Sequence, residues 1–184
     1  MNIILGVTGS IAAYKAADIT SQLVKKGWNV NVVMTRGGTE FITPLTFQTL
    51  SKNKVYTDVF QEREPHEVKH IGLSQRADIF LIAPATANVI GKIANGIADD
   101  MLTSLALSVT GIPKIIAPAM NTRMYENSIV QENIEKLKNY NYEFIEPRES
   151  MLACGDVGKG ALANVSDIIN FVLAAAGEKN DTCS

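Results

Sequence analysis

Short apolar runs alternate along the chain with longer segments in which apolar residues recur every three or four positions. The runs predict strands because they are continuous, rich in β-branched residues and bounded by turn residues. They cover residues 2–8, 29–35, 78–84, 114–120 and 142–147. The periodic segments predict helices. These cover residues 10–26, 86–109 with a break near Gly96, 127–139 and 165–176, and a short helix is expected before the third strand.

Strands that alternate with helices predict a parallel sheet with right-handed crossovers and helices on both faces, which is a doubly wound α/β fold. We expect one domain over residues 1–176, followed by a polar tail over residues 177–184 that is disordered. Ligands of such sheets bind beyond the carboxyl ends of the strands. The segments to search for a site therefore follow four residues: Thr8, Thr35, Pro84 and Met120.

Composition removes several classes of function. The 184 residues carry a net charge of −2, so no overall basic field favours nucleic acid or an anionic membrane as a partner. No apolar run is long enough to span a bilayer, and the first residues lack the basic leader of a signal peptide. Cys154 and Cys183 are far apart and form no C-x-x-C pair, so we expect no disulfide and no metal site, and a reducing cytoplasm.

The loops after the first two strands are rich in glycine and hydroxyl groups. In "GVTGSIAAYK", Gly9 allows a close approach of the backbone, and Ser10 could cap the helix or bind a phosphate at its N-terminus. The dinucleotide motif G-x-G-x-x-G is absent, and residues 35–38 (TRGG) replace the acidic residue that would bind a ribose. A cap and turn without a ligand is the alternative for each loop alone. Together the two loops favour a mononucleotide over NAD.

The loops after the next two strands carry amides and a hydroxyl. Thr86 and Asn88 begin a helix and suit an anion or the polar edge of a ring, although such residues usually cap helices. Asn121 follows the fourth strand between Met120 and Met124. On the residues alone, a helix cap with two core methionines is the favoured interpretation of that segment.

Two further residues could carry chemistry. His70 adjoins the apolar Ile71 and Leu73, which would place it near a site, whereas His66 lies in a polar stretch and is expected to have no role. Cys154 precedes three glycines in "LACGDVGKG", which indicates a loop that could close over a ligand. Whether its thiol is reactive or is a small buried filler stays open from composition.

These segments together resemble the flavin-containing cysteine decarboxylase family, and within it the phosphopantothenoylcysteine decarboxylases of coenzyme A biosynthesis, over residues 2–172. "GVTGSIAAYK" is similar to the family's first flavin loop and "PATANV" to its P-A-S-A-N-T motif, with Thr86 and Val89 substituted. "PAMNTRMY" is similar to the substrate-recognition clamp P-x-M-N-x-x-M-W, with Tyr125 in place of tryptophan. "LACGDVGKG" is similar to the cysteine-bearing flap.

The resemblance implies a Rossmann-like or flavodoxin-like flavoprotein that binds FMN. The implied FMN contacts are Gly9, Ser10, Ile11, Thr35, Arg36, Gly37, Thr86, Ala87, Asn88, Val89 and Ala119. His70 would be the catalytic base and Cys154 the proton donor. Asn121 would hold the substrate carboxylate, with Met120 and Met124 as further substrate contacts.

The implied reaction is FMN-dependent decarboxylation of 4'-phospho-N-pantothenoyl-L-cysteine to 4'-phosphopantetheine and CO2. Oxidation of the thiol by the flavin creates the group that accepts the electrons left by CO2, and the product is then reduced and protonated. The family also implies a cytoplasmic homo-oligomer, either a trimer or a dodecamer, and possibly a separate phosphopantothenoylcysteine synthetase.

Three other functions are compatible with parts of the sequence. A peptidyl-cysteine decarboxylase of lantibiotic maturation needs the flavin and the clamp but can release the enethiol, so Cys154 disfavours it. A flavin prenyltransferase shares the fold but not the M-N-x-x-M clamp. A non-catalytic flavin-binding regulatory protein would not need His70, Asn121 and Cys154.

Overall fold

A five-stranded parallel sheet forms the centre of the protein. The structure is a computed structural model that describes residues 1–59, 69–151 and 157–181. In the order β2-β1-β3-β4-β5, the sheet contains β1 (Asn2–Val7), β2 (Asn29–Met34), β3 (Ile79–Ala85), β4 (Lys114–Pro118) and β5 (Tyr142–Phe144). This strand order is flavodoxin-like. The chain adds β2 on one side of β1 and the later strands on the other side, so the order switches between β1 and β3. The predicted doubly wound α/β fold is confirmed.

Helices cover both faces of the sheet. They are α1 (Ala13–Lys25), α2 (Arg36–Thr39), α3 (Pro44–Ser51), α4 (Lys69–Arg76), α5 (Ala87–Ala94), α6 (Met101–Ser108), α7 (Thr122–Tyr125), α8 (Ser128–Asn139) and α9 (Val165–Asp181). Successive residues of β1 point to opposite faces, so Ile3 and Leu5 belong to one buried cluster and Ile4 to the other. The continuous apolar sequence of the central strands follows from this burial on both sides.

Several predicted boundaries were wrong. The helix expected from Ser10 begins at Ala13, because residues 9–12 form turns and the Ser10 hydroxyl accepts a hydrogen bond from the Ala12 N–H at 3.3 Å. The glycines of residues 35–38 suggested a turn, yet this segment begins α2, and α3 was also not predicted. The C-terminal helix extends to Asp181, five residues past its predicted end at Ala176.

The strand expected over residues 142–147 ends at Phe144 and is not the last one. Two later strands, β6 (Arg148–Met151) and β7 (Val157–Ala161), pair antiparallel and form a separate small sheet. Their sequences contain glycine and charged residues without an apolar alternation, so the periodicity that marks a strand is absent. We refer to β6 and β7 as the hairpin strands.

Thr8 joins the two loops at the point where the strand order reverses. Its side chain is fully buried directly after β1. The Thr8 Oγ1 donates a hydrogen bond to the carbonyl oxygen of Pro84 at 2.8 Å and accepts one from the N–H of Thr86 at 3.1 Å. One hydroxyl therefore fixes the loop after β3 against the end of β1.

Substitution of Thr8 tests this bridge. Thr8→Val keeps the shape of the side chain but leaves a buried carbonyl and a nearby N–H without partners, so we expect the free energy of unfolding to fall by about 2–4 kcal/mol. Thr8→Ser keeps the hydroxyl and removes one methyl group, which costs about 1 kcal/mol. Urea denaturation measures both. Equal losses in the two variants would contradict the bridge.

Candidate active site

A cleft of about 800 Å³ opens at the carboxyl ends of the central strands, as the fold predicts. It is lined by the loops after β1, β2, β3 and β4 and by the end of the hairpin strands. The lining contains all eleven residues that the resemblance assigned to FMN: Gly9, Ser10, Ile11, Thr35, Arg36, Gly37, Thr86, Ala87, Asn88, Val89 and Ala119. Met120, Asn121 and Met124 line the same cleft. The structure thus brings these residues together, while their roles stay predictions.

The floor of the cleft is made by two glycine-rich loops in direct backbone contact. A Cβ on Gly9 would lie only 3.0 Å from the carbonyl carbon of Gly37. Next to this contact, Thr35 caps α2 by accepting a hydrogen bond from the N–H of Gly38 at 3.2 Å. A Cβ on Gly38 would lie 2.6 Å from the carbonyl oxygen of Val7. The loops after β1 and β2 therefore form one surface, which any side chain at Gly9 would push apart.

The loop after β3 supplies helix-terminal donors to the cleft. Thr86 caps α5 by accepting a hydrogen bond from the N–H of Val89 at 3.4 Å. The N–H groups at the start of a helix have no partner within the helix and can bind a ligand oxygen or a ring edge. The cleft volume, the glycine floor and these donors together fit a flavin mononucleotide.

The clamp segment, residues 118–125, also lines the cleft. The Asn121 Oδ1 caps α7 by accepting a hydrogen bond from the N–H of Arg123 at 2.9 Å. Asn121 also lines the cleft, so it is a helix cap and a cleft residue at the same time. The N–H of Met120 donates to the carbonyl oxygen of Gly160 at 2.9 Å. A Cβ on Gly160 would lie 2.4 Å from the Met120 carbonyl oxygen. The clamp is thus attached to β7 through the backbone.

Tyr125, where the family has tryptophan, is held by a charged pair. It is 8% exposed, and its hydroxyl donates to the Oε2 of Glu146 at 3.2 Å. The Nζ of Lys159, on β7, lies 2.6 Å from the same oxygen. Burial, followed by the charge of Glu146, raises the pKa of Tyr125, and the hydrogen bond from Lys159 lowers the pKa of Glu146. The network joins α7 to the hairpin strands and keeps Tyr125 neutral, so that it donates.

The side chains of two predicted catalytic residues lie outside the described part of the structure. The backbone of His70 lies in the first turn of α4, which packs against α6, and its side chain is outside the described part of the chain. Cys154 lies between the hairpin strands, outside the described residues. The proposed roles of both residues stay predictions.

Other lining residues were not predicted. They are Ala12, Tyr14, Lys15, Lys92, Asp100, Arg148, Gly160, Ala161 and Leu162. Lys15 could have been found, because it is the last residue of the quoted loop motif "GVTGSIAAYK", whose first residues were assigned to the cleft. No sequence pattern placed Arg148 or residues 160–162 in the cleft, because their position there depends on the hairpin strands, which were not predicted.

Comparisons with known proteins identify the class. A family model described as "Flavoprotein" matches residues 1–177, and the chain belongs to this family. A probable phosphopantothenoylcysteine decarboxylase of Streptococcus mutans is 55% identical over 92% of this chain and 96% of the relative. The coenzyme A biosynthesis bifunctional protein CoaBC of Bacillus subtilis is 53% identical over 92% of this chain, which spans only 42% of that protein. The predicted resemblance is confirmed.

Two solved structures share the fold closely. A mutant PPC decarboxylase complexed with pantothenoylaminoethenethiol superposes with a TM-score of 0.84 at 30% identity, over 94% of this chain and 96% of that one. The FMN-dependent cysteine decarboxylase SpaF superposes with a TM-score of 0.82, also at 30% identity, over 96% of this chain and 97% of the other. The fold alone therefore does not separate the two kinds of cysteine decarboxylase.

The glycine floor predicts a defect in flavin binding. Gly9→Ala places a Cβ against the backbone of Gly37, so we expect the loops to separate and the affinity for FMN to fall about tenfold or more. Gly91→Ala is the matched control, because its Cβ would meet only the Asn133 side chain at 3.7 Å. Quenching of flavin fluorescence measures both affinities. An unchanged affinity in Gly9→Ala would refute the role of the floor.

The charged pair beside Tyr125 predicts a pH-dependent contribution to stability. The pKa of Glu146 is lower in the folded protein than its usual value of 4.5, so its contribution is present above that value and is lost as the pH falls through the lowered one. Because Glu146 and Lys159 are partly exposed, we expect Glu146→Gln to cost only about 0.5 kcal/mol at neutral pH. Thermal denaturation from pH 7 to about pH 3 should show this difference vanish.

Glu132→Gln is the control for this measurement, since Glu132 is an exposed carboxylate of α8 that is in none of the ion pairs of the described residues, and it should leave the thermal stability nearly unchanged. A difference between wild type and Glu146→Gln that grew toward acid pH would have the wrong sign.

Proposed function

We propose that this protein catalyses the FMN-dependent decarboxylation of 4'-phospho-N-pantothenoyl-L-cysteine to 4'-phosphopantetheine and CO2, in coenzyme A biosynthesis. The observation that carries the proposal is the meeting of both flavin loops, the third flavin segment and the substrate clamp in one cleft. The identities of 55% to the Streptococcus mutans relative and 53% to the Bacillus subtilis CoaBC support this substrate rather than a peptide. The proposed catalytic domain covers residues 1–176.

The floor and the loop after β3 bind the cofactor in this proposal. FMN, when bound, supplies the two-electron oxidation of the substrate thiol that makes loss of CO2 possible. Gly9 and Gly37 let the backbone reach the ligand, and the N–H groups at the start of α5 meet its polar atoms. Cofactor pockets are lined mainly by apolar side chains with a few polar groups. Val89, Ala119 and Met120 supply apolar lining in this cleft.

Asn121 orients the substrate carboxylate. Its amide is neutral, so it can hydrogen-bond the carboxylate without the tight ion pair that would stabilise the starting state and oppose loss of CO2. Capping of α7 holds its side chain in place at the cleft. Met120 and Met124 flank it and provide the apolar surface beside the reacting group.

His70 and Cys154 carry out the proton transfers in this proposal. We assign His70 as the general base for the substrate and Cys154 as the acid that protonates the carbon of the enethiol after CO2 has left. The backbone of β7, which follows the Cys154 segment, is attached to Met120 of the clamp. The proposed role requires the Cys154 thiol to meet the substrate held by Asn121.

A homo-oligomer, either a trimer or a dodecamer, is part of the proposal. Several large apolar side chains are exposed, namely Ile11, Tyr14 and Met124 at the cleft, Phe41 before α3 and Leu45 within it. Exposed apolar surface that forms large patches is typical of a protein–protein contact. Light scattering measures the mass of the assembly, and a monomer at micromolar concentration would refute this part.

The relatives support a setting for the reaction. We propose a cytoplasmic location and a partnership with phosphopantothenoylcysteine synthetase, which the bifunctional relatives support. Among the described helices, none is long and apolar enough to cross a membrane. Within the same residues, no group of three or more histidine, cysteine and acidic side chains could hold a metal ion.

The direct experiment supplies the FMN-loaded protein with 4'-phosphopantothenoylcysteine and, separately, with a peptide that ends in cysteine. CO2 release from the small substrate alone supports the proposal. Release from the peptide alone would indicate the lantibiotic type of enzyme, and release from neither would indicate a non-catalytic flavin protein.

Cys154→Ser tests the proton donor. We expect CO2 to be released while an oxidised enethiol accumulates and reduced flavin persists, because the last protonation is lost. Cys183→Ser, at the other cysteine, is the control and should form phosphopantetheine normally. Mass spectrometry of the products and the flavin absorbance near 450 nm follow both. Normal product from Cys154→Ser would refute the assignment.

A further inference from the structure

The segment that follows Asn121 is a single helical turn. α7 contains four residues, and the N–H of Tyr125 donates to the carbonyl oxygen of Asn121 at 2.9 Å. One turn loses more conformational entropy than its few hydrogen bonds return, so contacts with the rest of the protein must hold it. The Oδ1 of Asn121 accepts its hydrogen bond from the N–H of Arg123 in the same turn. The direction of the Asn121 amide therefore follows the placement of α7.

Strand β7 holds the start of this turn through two glycines. The carbonyl oxygen of Gly160 accepts the hydrogen bond from the N–H of Met120. A Cβ on Gly158 would lie 2.6 Å from the Oγ1 of Thr122, so the absence of a side chain there lets the strand approach the turn closely. These contacts all lie at the start of the turn. The other end, at Tyr125, is held by side chains.

Three side chains from separate segments meet at the end of the turn. The Tyr125 hydroxyl and the Nζ of Lys159 both bind the Oε2 of Glu146, at 3.2 and 2.6 Å. The Nζ of Lys159 also lies 5.7 Å from the centroid of the Tyr125 ring, within the range of a cation–π contact. We refer to Tyr125, Glu146 and Lys159 as the clamp anchor. Of the described residues, Asn121 lines the cleft and the clamp anchor does not, so an effect of the anchor on a ligand is indirect.

We infer that Glu146 and Lys159 are positioning residues for the reaction, which act through Tyr125 to orient the Asn121 amide toward the substrate carboxylate. The inference rests on the proposed function, in which Asn121 holds that carboxylate. A charged acceptor such as Glu146 makes a stronger hydrogen bond with the Tyr125 hydroxyl than a neutral acceptor would. Lys159 keeps the Glu146 carboxylate on the protein, since this side chain is otherwise exposed. Loss of the anchor tilts the turn and misaligns the amide at its start.

Two ligands that differ only by the carboxylate isolate this effect. They are the S-methyl thioethers of 4'-phosphopantothenoylcysteine and of 4'-phosphopantetheine. Neither has a free thiol that FMN could oxidise, so calorimetry can measure the binding of both to the FMN-loaded protein. The ratio of the two dissociation constants gives the preference of the cleft for a carboxylate. We expect this preference in the wild type, and equal binding of the two ligands would overturn the inference.

Removal of the anchor hydrogen bond should reduce the preference. Tyr125→Phe keeps the ring and loses the hydroxyl, and Glu146→Met keeps a long side chain and loses the acceptor. We expect each to lower the preference about fivefold by weakening the ligand that carries the carboxylate, since a hydrogen bond to a charged group is lost. The double variant should lose no more than either single variant, because both remove the same bond. Lys159→Met should change the preference in the same direction.

Matched variants separate orientation of the clamp from general damage. Tyr140→Phe removes a hydroxyl from an exposed tyrosine that follows α8, and Lys25→Met removes a charge from the last turn of α1. Both positions lie outside the cleft and the clamp, so both variants should keep the preference of the wild type. Glu146→Gln retains a side-chain carbonyl that can accept from the Tyr125 hydroxyl. It should keep more of the preference than Glu146→Met, and an equal loss would contradict the role of that hydrogen bond.

The outcomes distinguish this inference from the proposed function. An unchanged preference in both Tyr125→Phe and Glu146→Met would overturn the inference, even if the wild type decarboxylates its substrate. Equal weakening of the two ligands would also overturn it, because it would indicate a purely structural role for the anchor. Selective weakening of the ligand with the carboxylate would support the inference, even if the wild type releases no CO2.

Discussion

The candidate site depends on the hydrogen bonds of one buried hydroxyl. Thr8 directly follows β1, the strand at which the sheet reverses its order, and its hydroxyl hydrogen-bonds both the Pro84 carbonyl and the Thr86 N–H. A buried polar group without partners is costly, so the arrangement of the two loops around this hydroxyl is strongly favoured. The flavin loop after β1 and the cap of α5 thereby keep fixed positions, and the backbone contact of Gly9 with Gly37 adds the loop after β2.

Most strands of the sheet and most residues that line the cleft could be predicted from the sequence, for physical reasons. Strands buried on both faces are continuously apolar, as Ile79–Ala85 shows, so they could be recognised without a partner. Residues directly after such strands meet at one edge, which is why Gly9, Thr86 and Asn121 line a common cleft. Their roles as flavin or substrate contacts came from the resemblance, since small and hydroxyl residues serve equally well as caps.

What the sequence did not predict depends on pairing between distant segments. Thr8 reads as the last residue of an apolar run, and its importance comes from a carbonyl at Pro84. Arg148 enters the cleft only because β6 pairs with β7, and those strands have no apolar period. The polar setting of Tyr125 required Glu146 and Lys159 from two other segments. Propensity and periodicity are local, so such arrangements lie beyond them.

The contact between Gly9 and Gly37 has an evolutionary consequence. The two positions belong to different loops, yet a larger residue at Gly9 would displace the backbone at Gly37, and a Cβ at Gly37 would lie 3.3 Å from the Cα of Gly9. A side chain at either position requires the backbone of the other loop to shift, and the contact is tighter for Gly9 than for Gly37. Descendants of this protein can therefore elaborate the rim of the cleft residue by residue, whereas a side chain in its floor requires the backbone of the facing loop to move.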